Sequence, residues 1–159
     1  MLSTEQALSR ALVSGSIAAA VTSVAAALAG RRQTGSYAAP LNATSHVLWG
    51  EDATWRNRAT LKYTGAGLLL THGAGIFWGS VYEKLFGRPR NARPAPLAAL
   101  AGAALVSIGA YLTDYYLVPQ RFTPGYERRV SGKALAGIFA ALGVGLAARD
   151  LLRGLMRPR

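Results

Sequence analysis

The chain has 159 residues, 51% of them hydrophobic and 16% charged, with 18 Lys and Arg against 7 Asp and Glu for a net charge of +11. Its charges avoid long stretches instead of spreading evenly, which argues against a soluble helical domain and for a membrane protein even at a mean hydropathy of +0.20. With no cysteine there is no disulfide framework and no thiolate metal or redox centre.

In chain order, uncharged runs cover residues 11–30, 63–82 and 94–113, each close to the roughly 20 residues that span a hydrocarbon core. A fourth run, 134–148, is shorter and spans if Lys133 and Arg149 extend to the two interfaces. These runs predict an all-α, polytopic bundle of four transmembrane helices, at about 10–30, 62–84, 95–118 and 131–152, in a single membrane domain over 1–159. The small-residue ending "AALAG" of the first run also fits a signal peptide cut after Ala29; the expectation is an uncleaved first helix.

The first connection, 31–61, is the longest. Pro40 stops a preceding helix, Asn42 or Thr44 can cap a short new one, and Trp49 and Trp55 suit a short interfacial segment. The second, "GRPRNARPAP", is turn-rich and basic. The third, "VPQRFTPGYERRVSG", reads as a short ordered loop around Pro119 and the Pro124-Gly125 turn.

Both termini share one side in this topology. That side holds Arg10, Lys84, Arg88, Arg90, Arg93, Arg149, Arg153, Arg157 and Arg159; the other holds Arg31, Arg32, Arg56, Arg58, Lys62, Arg121, Arg128, Arg129 and Lys133. The balance leaves orientation open, including dual insertion. Discounting Arg56 and Arg58, which lie inside the long connection, puts the termini in the cytoplasm. Arg31, Arg32, Arg121, Arg128 and Arg129 are the candidate contacts to anionic lipid head groups. Basic residues that flank helices, without an interleaved aromatic platform, give no reason to expect nucleic acid.

Within the second run, His72 lies at the midpoint, near the bilayer centre, where a polar group needs a partner. Gly65, Leu68, Gly75 and Gly79 share its helical face, and Gly75 to Gly79 is a G-x-x-x-G pair, so His72 is expected to point into the bundle. The third run offers Ser107, Tyr111 and Asp114 on one face, and the first adds Thr22 and Ser23 near the midplane. His72, Ser107, Tyr111 and Asp114 are the candidate polar stripe for protons, an ion or a small substrate. The alternative is that His72 bonds Ser107 or Thr22 to fix helix register while Asp114 is solvated near the interface. Gly137, Ala141 and Gly145 give the fourth helix a packing ridge.

Haem is not expected, because bis-histidine ligation needs a second histidine at matching depth and only His46, in the first connection, remains. No metal-ligand spacing, nucleophile elbow, working carboxylate pair or phosphate loop is recognisable, so no cofactor and no catalytic residue is assigned.

The stretches "THGAGIFWGSVYE" and "FTPGYE" resemble the YagU-like bacterial inner-membrane proteins. The resemblance implies a multi-pass inner-membrane location and carries no catalytic residue across. Richness in Ala, Gly and Arg fits a GC-rich bacterial genome. The first helix has small residues on two faces, Ser14, Ala18, Thr22, Ala26 and Gly15, Ala19, Ser23, Ala27, more than four helices need. The expected function is therefore an accessory or assembly subunit of an inner-membrane complex, with lipid and other subunits or a second copy as partners. The alternative is a small homo-oligomeric transporter or channel using the polar stripe. An enzyme acting on lipid or quinone has only "RFTPGYERR" and the first connection for a head-group site.

Overall fold

The computed structural model describes residues 2–89 and 91–156, so Arg90, Arg157 and Arg159 of the charge balance lie outside the described residues. Among the described residues seven α-helices form: α1 (Thr4–Thr34), α2 (Ala39–Thr44), α3 (His46–Trp49), α4 (Glu51–Thr54), α5 (Ala66–Leu85), α6 (Pro96–Leu112) and α7 (Gly132–Met156). No strand occurs among the described residues. The ends of α1 follow from capping chemistry. Ser3 and Gln6 form a reciprocal capping box at its start, and Gly35 takes the left-handed conformation (φ 76°) that ends it. It therefore begins six residues earlier and ends four later than the uncharged run suggested.

The long helices alternate in direction. On α1 and α5, Gly15 meets Gly75 and Gly79 while Ala19 meets Gly75; on α1 and α7, Ala18 meets Gly145 and Gln33 meets Ser131. Rising numbers on one helix pair with falling numbers on the other, which is antiparallel packing. α6 packs antiparallel on α7, with Ser107 donating a hydrogen bond to the Phe139 carbonyl. Among the described residues three segments are long and apolar enough to cross a membrane: Thr4–Thr34, Pro96–Leu117 and Gly132–Met156.

Packing is small inside and large outside. α1 buries Ala7, Ala11, Ser14, Gly15, Ala18, Ala19, Thr22, Ala26 and Gly30, and exposes Leu8, Leu12, Val13, Val24 and Leu28. In water this arrangement wastes the hydrophobic effect. In lipid, where tails solvate Leu as well as another helix does, close backbone approach through small residues gains dispersion instead. The pattern supports a membrane-embedded helical protein.

One expectation changes here. The two small-residue faces of α1 are not surplus: one is filled by α5 and the other by α7, so α1 is the central helix.

The first connection is also more than an interfacial segment. Every residue of α2 is buried, and a Cβ added at Gly67 of α5 would overlap the Leu41 carbonyl oxygen, so α2 lies backbone to backbone on α5. Asn42 holds the returning chain by donating to the Arg56 and Arg58 carbonyls (2.9 and 3.0 Å) and accepting from Thr64 (2.6 Å). Trp49 and Trp55 are exposed at its rim. Gly125 (φ 77°) closes the Pro124-Gly125 turn against the Ala43 carbonyl, which docks the third connection on α2.

Candidate functional site

α5 buries Gly67, Thr71, Gly75, Gly79, Tyr82 and Glu83, and this face lies against α1 and α2. His72 is next to Thr71 and therefore about 100° round the helix from that ridge. It is exposed, a correction to the inward orientation expected from the glycine spacing. Gly75 and Gly79 lie against α1: a Cβ at Gly75 would come within 2.7 Å of Ala19 Cβ, and one at Gly79 within 2.8 Å of Gly15 Cα. Gly65 instead meets Leu61 of its own turn.

The imidazole lies in an open groove of about 1350 Å³ along the outer seam of α1 and α5. Ser16 gives its hydroxyl proton to the Leu12 carbonyl. The 3.2 Å contact between Ser16 and His72 then has Nε2–H as donor and Oγ as acceptor. Nδ1 has no hydrogen bond among the described residues. Ser23 lines the same groove, and Trp49 and Lys62 border its loop end. There Trp49 Nε1 donates to the Lys62 carbonyl (3.0 Å), and the Lys62 ammonium stands 5.1 Å from the ring centres of Trp49 and Tyr63.

The other members of the expected stripe face other spaces. Ser107 and Tyr111 line a groove between α6 and α7, with Tyr111 edge-on to Phe139 (5.4 Å). Asp114 sits in a wider, π-helical turn, Thr113–Leu117, which continues α6. It lines a third, internal cavity of about 190 Å³. The structure thus does not bring His72 together with Ser107, Tyr111 or Asp114, and no continuous polar path joins them. Helical spacing put the four on facing sides; the rotation of α5 about its own axis, set by the α2 and α1 contacts, separates them.

The polar groups of the internal cavity come from distant parts of the chain, Thr22 from α1, Thr44 from α2, Thr71 from α5, Asp114 from the turn after α6 and Tyr126 from the third connection, with Trp78 of α5 beside them. Thr71 and Tyr126 hydroxyls share a hydrogen bond of 2.9 Å. Burial pushes the Tyr126 hydroxyl above its ordinary value, so it stays protonated and available as a donor. Thr22 Oγ1 is buried without a partner, so it bonds neither His72 nor Ser107.

No family model matches the chain, and no curated protein or solved structure is similar to it. Among the described residues no group of three or more His, Asp or Glu side chains is placed to hold a metal ion. His46 is buried where the first and third connections meet, its Nδ1–H donating to the Ala43 carbonyl (2.7 Å) and its Nε2 edge packed 3.4 Å from the Gln120 carbonyl oxygen.

Of the basic residues read as head-group contacts, Arg31, Arg32 and Arg121 are exposed. Arg128 is paired with Glu51, while Arg129 bonds the Thr54 carbonyl (2.8 Å) and the Asn57 side chain, so these two tie the connections together. On α7, Gly145 packs on Ala18, Ala141 is half-buried, and Gly137 has nothing within 4 Å. The expected ridge therefore turns outward at its loop end.

Sequence reasoning did not single out the ion network at the opposite end. Arg149 reaches buried Glu83 (3.3 Å), Tyr82 donates to Asp150 (3.1 Å), and Arg10 donates to the Arg88 carbonyl. Glu83 was legible as the one acid at the end of an otherwise uncharged run.

Proposed function

We propose that this chain is a non-catalytic accessory subunit of a bacterial inner-membrane complex, crossing the bilayer four times with α5 as the second span and both termini in the cytoplasm. It docks on a spanning helix of a partner subunit through the outer α1–α5 groove. The carrying observation is His72: a ring nitrogen without a hydrogen bond among the described residues, exposed near the middle of the continuous helical stretch formed by the π-helical turn Leu61–Gly65 and α5. At that depth an unpaired polar atom facing lipid costs free energy that a partner's hydrogen-bond donor removes. The outer face of α6 supplies the contrast, since Leu97, Leu105, Ile108 and Leu112 make it apolar throughout, as lipid requires. Gly73, with nothing within 4 Å, leaves room for close helix approach beside His72. The resemblance of "THGAGIFWGSVYE" to YagU-like proteins supports the inner-membrane location, and no cofactor enters this reading.

A photo-crosslinking residue at position 73, in cells that make the protein at native level, tests it. The expected adduct is one other membrane protein, with the adduct reduced by His72→Leu and absent from position 108. Adducts with lipid alone, or equal protein adducts from positions 73 and 108, overturn it. The second reading, a homo-oligomeric transporter, is favoured by Asp114 at the internal cavity, and an adduct of two copies of this chain supports it instead.

A further inference from the structure

The internal cavity lies on the other side of the α1–α5 seam from the groove that holds His72, and its chemistry is unusual for a packing defect. Voids left by imperfect packing are apolar and stay dry. This one has a carboxyl group and an orphaned hydroxyl on a largely apolar and aromatic wall. Thr22 is 7% exposed and its Oγ1 has no hydrogen-bond partner. Asp114 is half-buried, with no ion pair and no side-chain hydrogen bond among the described residues. Trp78, Phe122 and Phe139 supply aromatic rings around the same space.

We propose that the cavity is a binding site for a small amine with a compact apolar body, whose ammonium group pairs with Asp114, while the unpartnered Thr22 Oγ1 offers a second hydrogen-bonding group on the same wall. Three features select that class. The Asp114 carboxyl has no cation paired with it among the described residues, and an anion in a low-dielectric wall is stabilised most by a cation that enters with the ligand. Aromatic faces attract ammonium and do not attract carboxylates or phosphates. Size sets the rest: an engineered cavity of about 150 Å³ takes benzene, so 190 Å³ takes a ring with a short ammonium arm. Entry is from the side. Of the lining residues only Ala74 and Phe122 are exposed, which places the mouth between α5 and the third connection.

The experiment uses the full chain in nanodiscs of uncharged phosphatidylcholine, with 2-phenylethylammonium as probe and 2-phenylethanol as its neutral counterpart, read by isothermal titration. The expected result is saturable binding of the amine, weakened roughly 10- to 100-fold by Asp114→Asn, as for loss of a charge-assisted contact. The alcohol should bind more weakly and be indifferent to that change. Ala74→Trp, at the exposed mouth where folding is not at stake, should abolish binding. Equal affinity of amine and alcohol, equal affinity in the Asp114→Asn protein, or no saturable binding by either probe overturns the proposal. The last result would mean that the cavity holds only water.

Discussion

Replacing Gly15 by Ala adds one methyl group, and the structure states what that methyl meets. A Cβ there would lie 2.6 Å from both the Gly75 carbonyl oxygen and Ile76 Cα, inside the roughly 3.3–3.6 Å of close C···O approach between packed helices. Both atoms are backbone, so no rotamer change relieves the overlap and α5 must move outward by about 0.7–1 Å. A gap of that size forfeits about a quarter to a half of each dispersion contact along the seam. Overpacking of this kind costs about 1–3 kcal/mol. The lower backbone entropy of Ala in the unfolded chain returns about 0.4–1 kcal/mol. The net expectation is a loss of about 1–2 kcal/mol. Gly73, two residues from Gly75 but with nothing within 4 Å, lacks the steric term, so Gly73→Ala should stabilise by about 0.4–1 kcal/mol. Reversible unfolding in mixed micelles with increasing SDS, followed by tryptophan fluorescence and circular dichroism, measures both. The same sign for the two variants, or an unchanged midpoint for Gly15→Ala, would refute the close α1–α5 seam.

The ion pair at the terminal end gives a second test. Glu83 is 2% exposed, and Arg149→Met removes the cation it faces, so that variant should lose roughly 3 kcal/mol in the same assay. The double change Glu83→Gln with Arg149→Met should recover most of it, and a double variant no better than the single one would contradict the pairing. At the loop end, the Arg128 hydrogen bond holds the Glu51 carboxyl below its ordinary value of 4.5. A depressed folded value means that the contribution is present above about pH 4.5 and disappears as pH falls through the lower, folded value. The protection of the α4 and 126–129 amides against hydrogen exchange, relative to their intrinsic rates, should therefore fall as pH is lowered below about 4.5 in the parent protein and show no such step in Glu51→Gln. The pair is exposed, so the step is small and shrinks with added salt.

Much of the architecture is written in one dimension. Charge-free length marks α1, α6 and α7, and the glycine pair 75/79 marks the side of α5 that meets α1. What spacing does not carry is rotation to better than one residue. Thr71 and His72 are neighbours on α5, yet one is buried on Tyr126 and the other opens on the outer groove. That choice is made by α2, whose Leu41 carbonyl admits only glycine at position 67, and α2 itself shows no periodic signal to announce that it is buried. The internal cavity escapes for a related reason. Thr22, Asp114 and Tyr126 lie far apart in the chain, and each alone looks like an ordinary small or interfacial residue.

The outer groove and the internal cavity are not remote from each other. Ala19 of α1 and Leu70 of α5 line both, so the wall between them is one layer of side chains. Leu70 is half-buried, and because Gly75 already lies within contact of Ala19, the seam has little slack to absorb a push from either side. A partner helix laid in the groove presses Leu70 toward the cavity, while a ligand filling the cavity presses it back. If both proposed sites are occupied, any coupling between them would change each affinity by a single factor, the same in both directions. An accessory subunit built this way would report the presence of its ligand to the complex through the α1–α5 seam, with no moving loop and no continuous polar path.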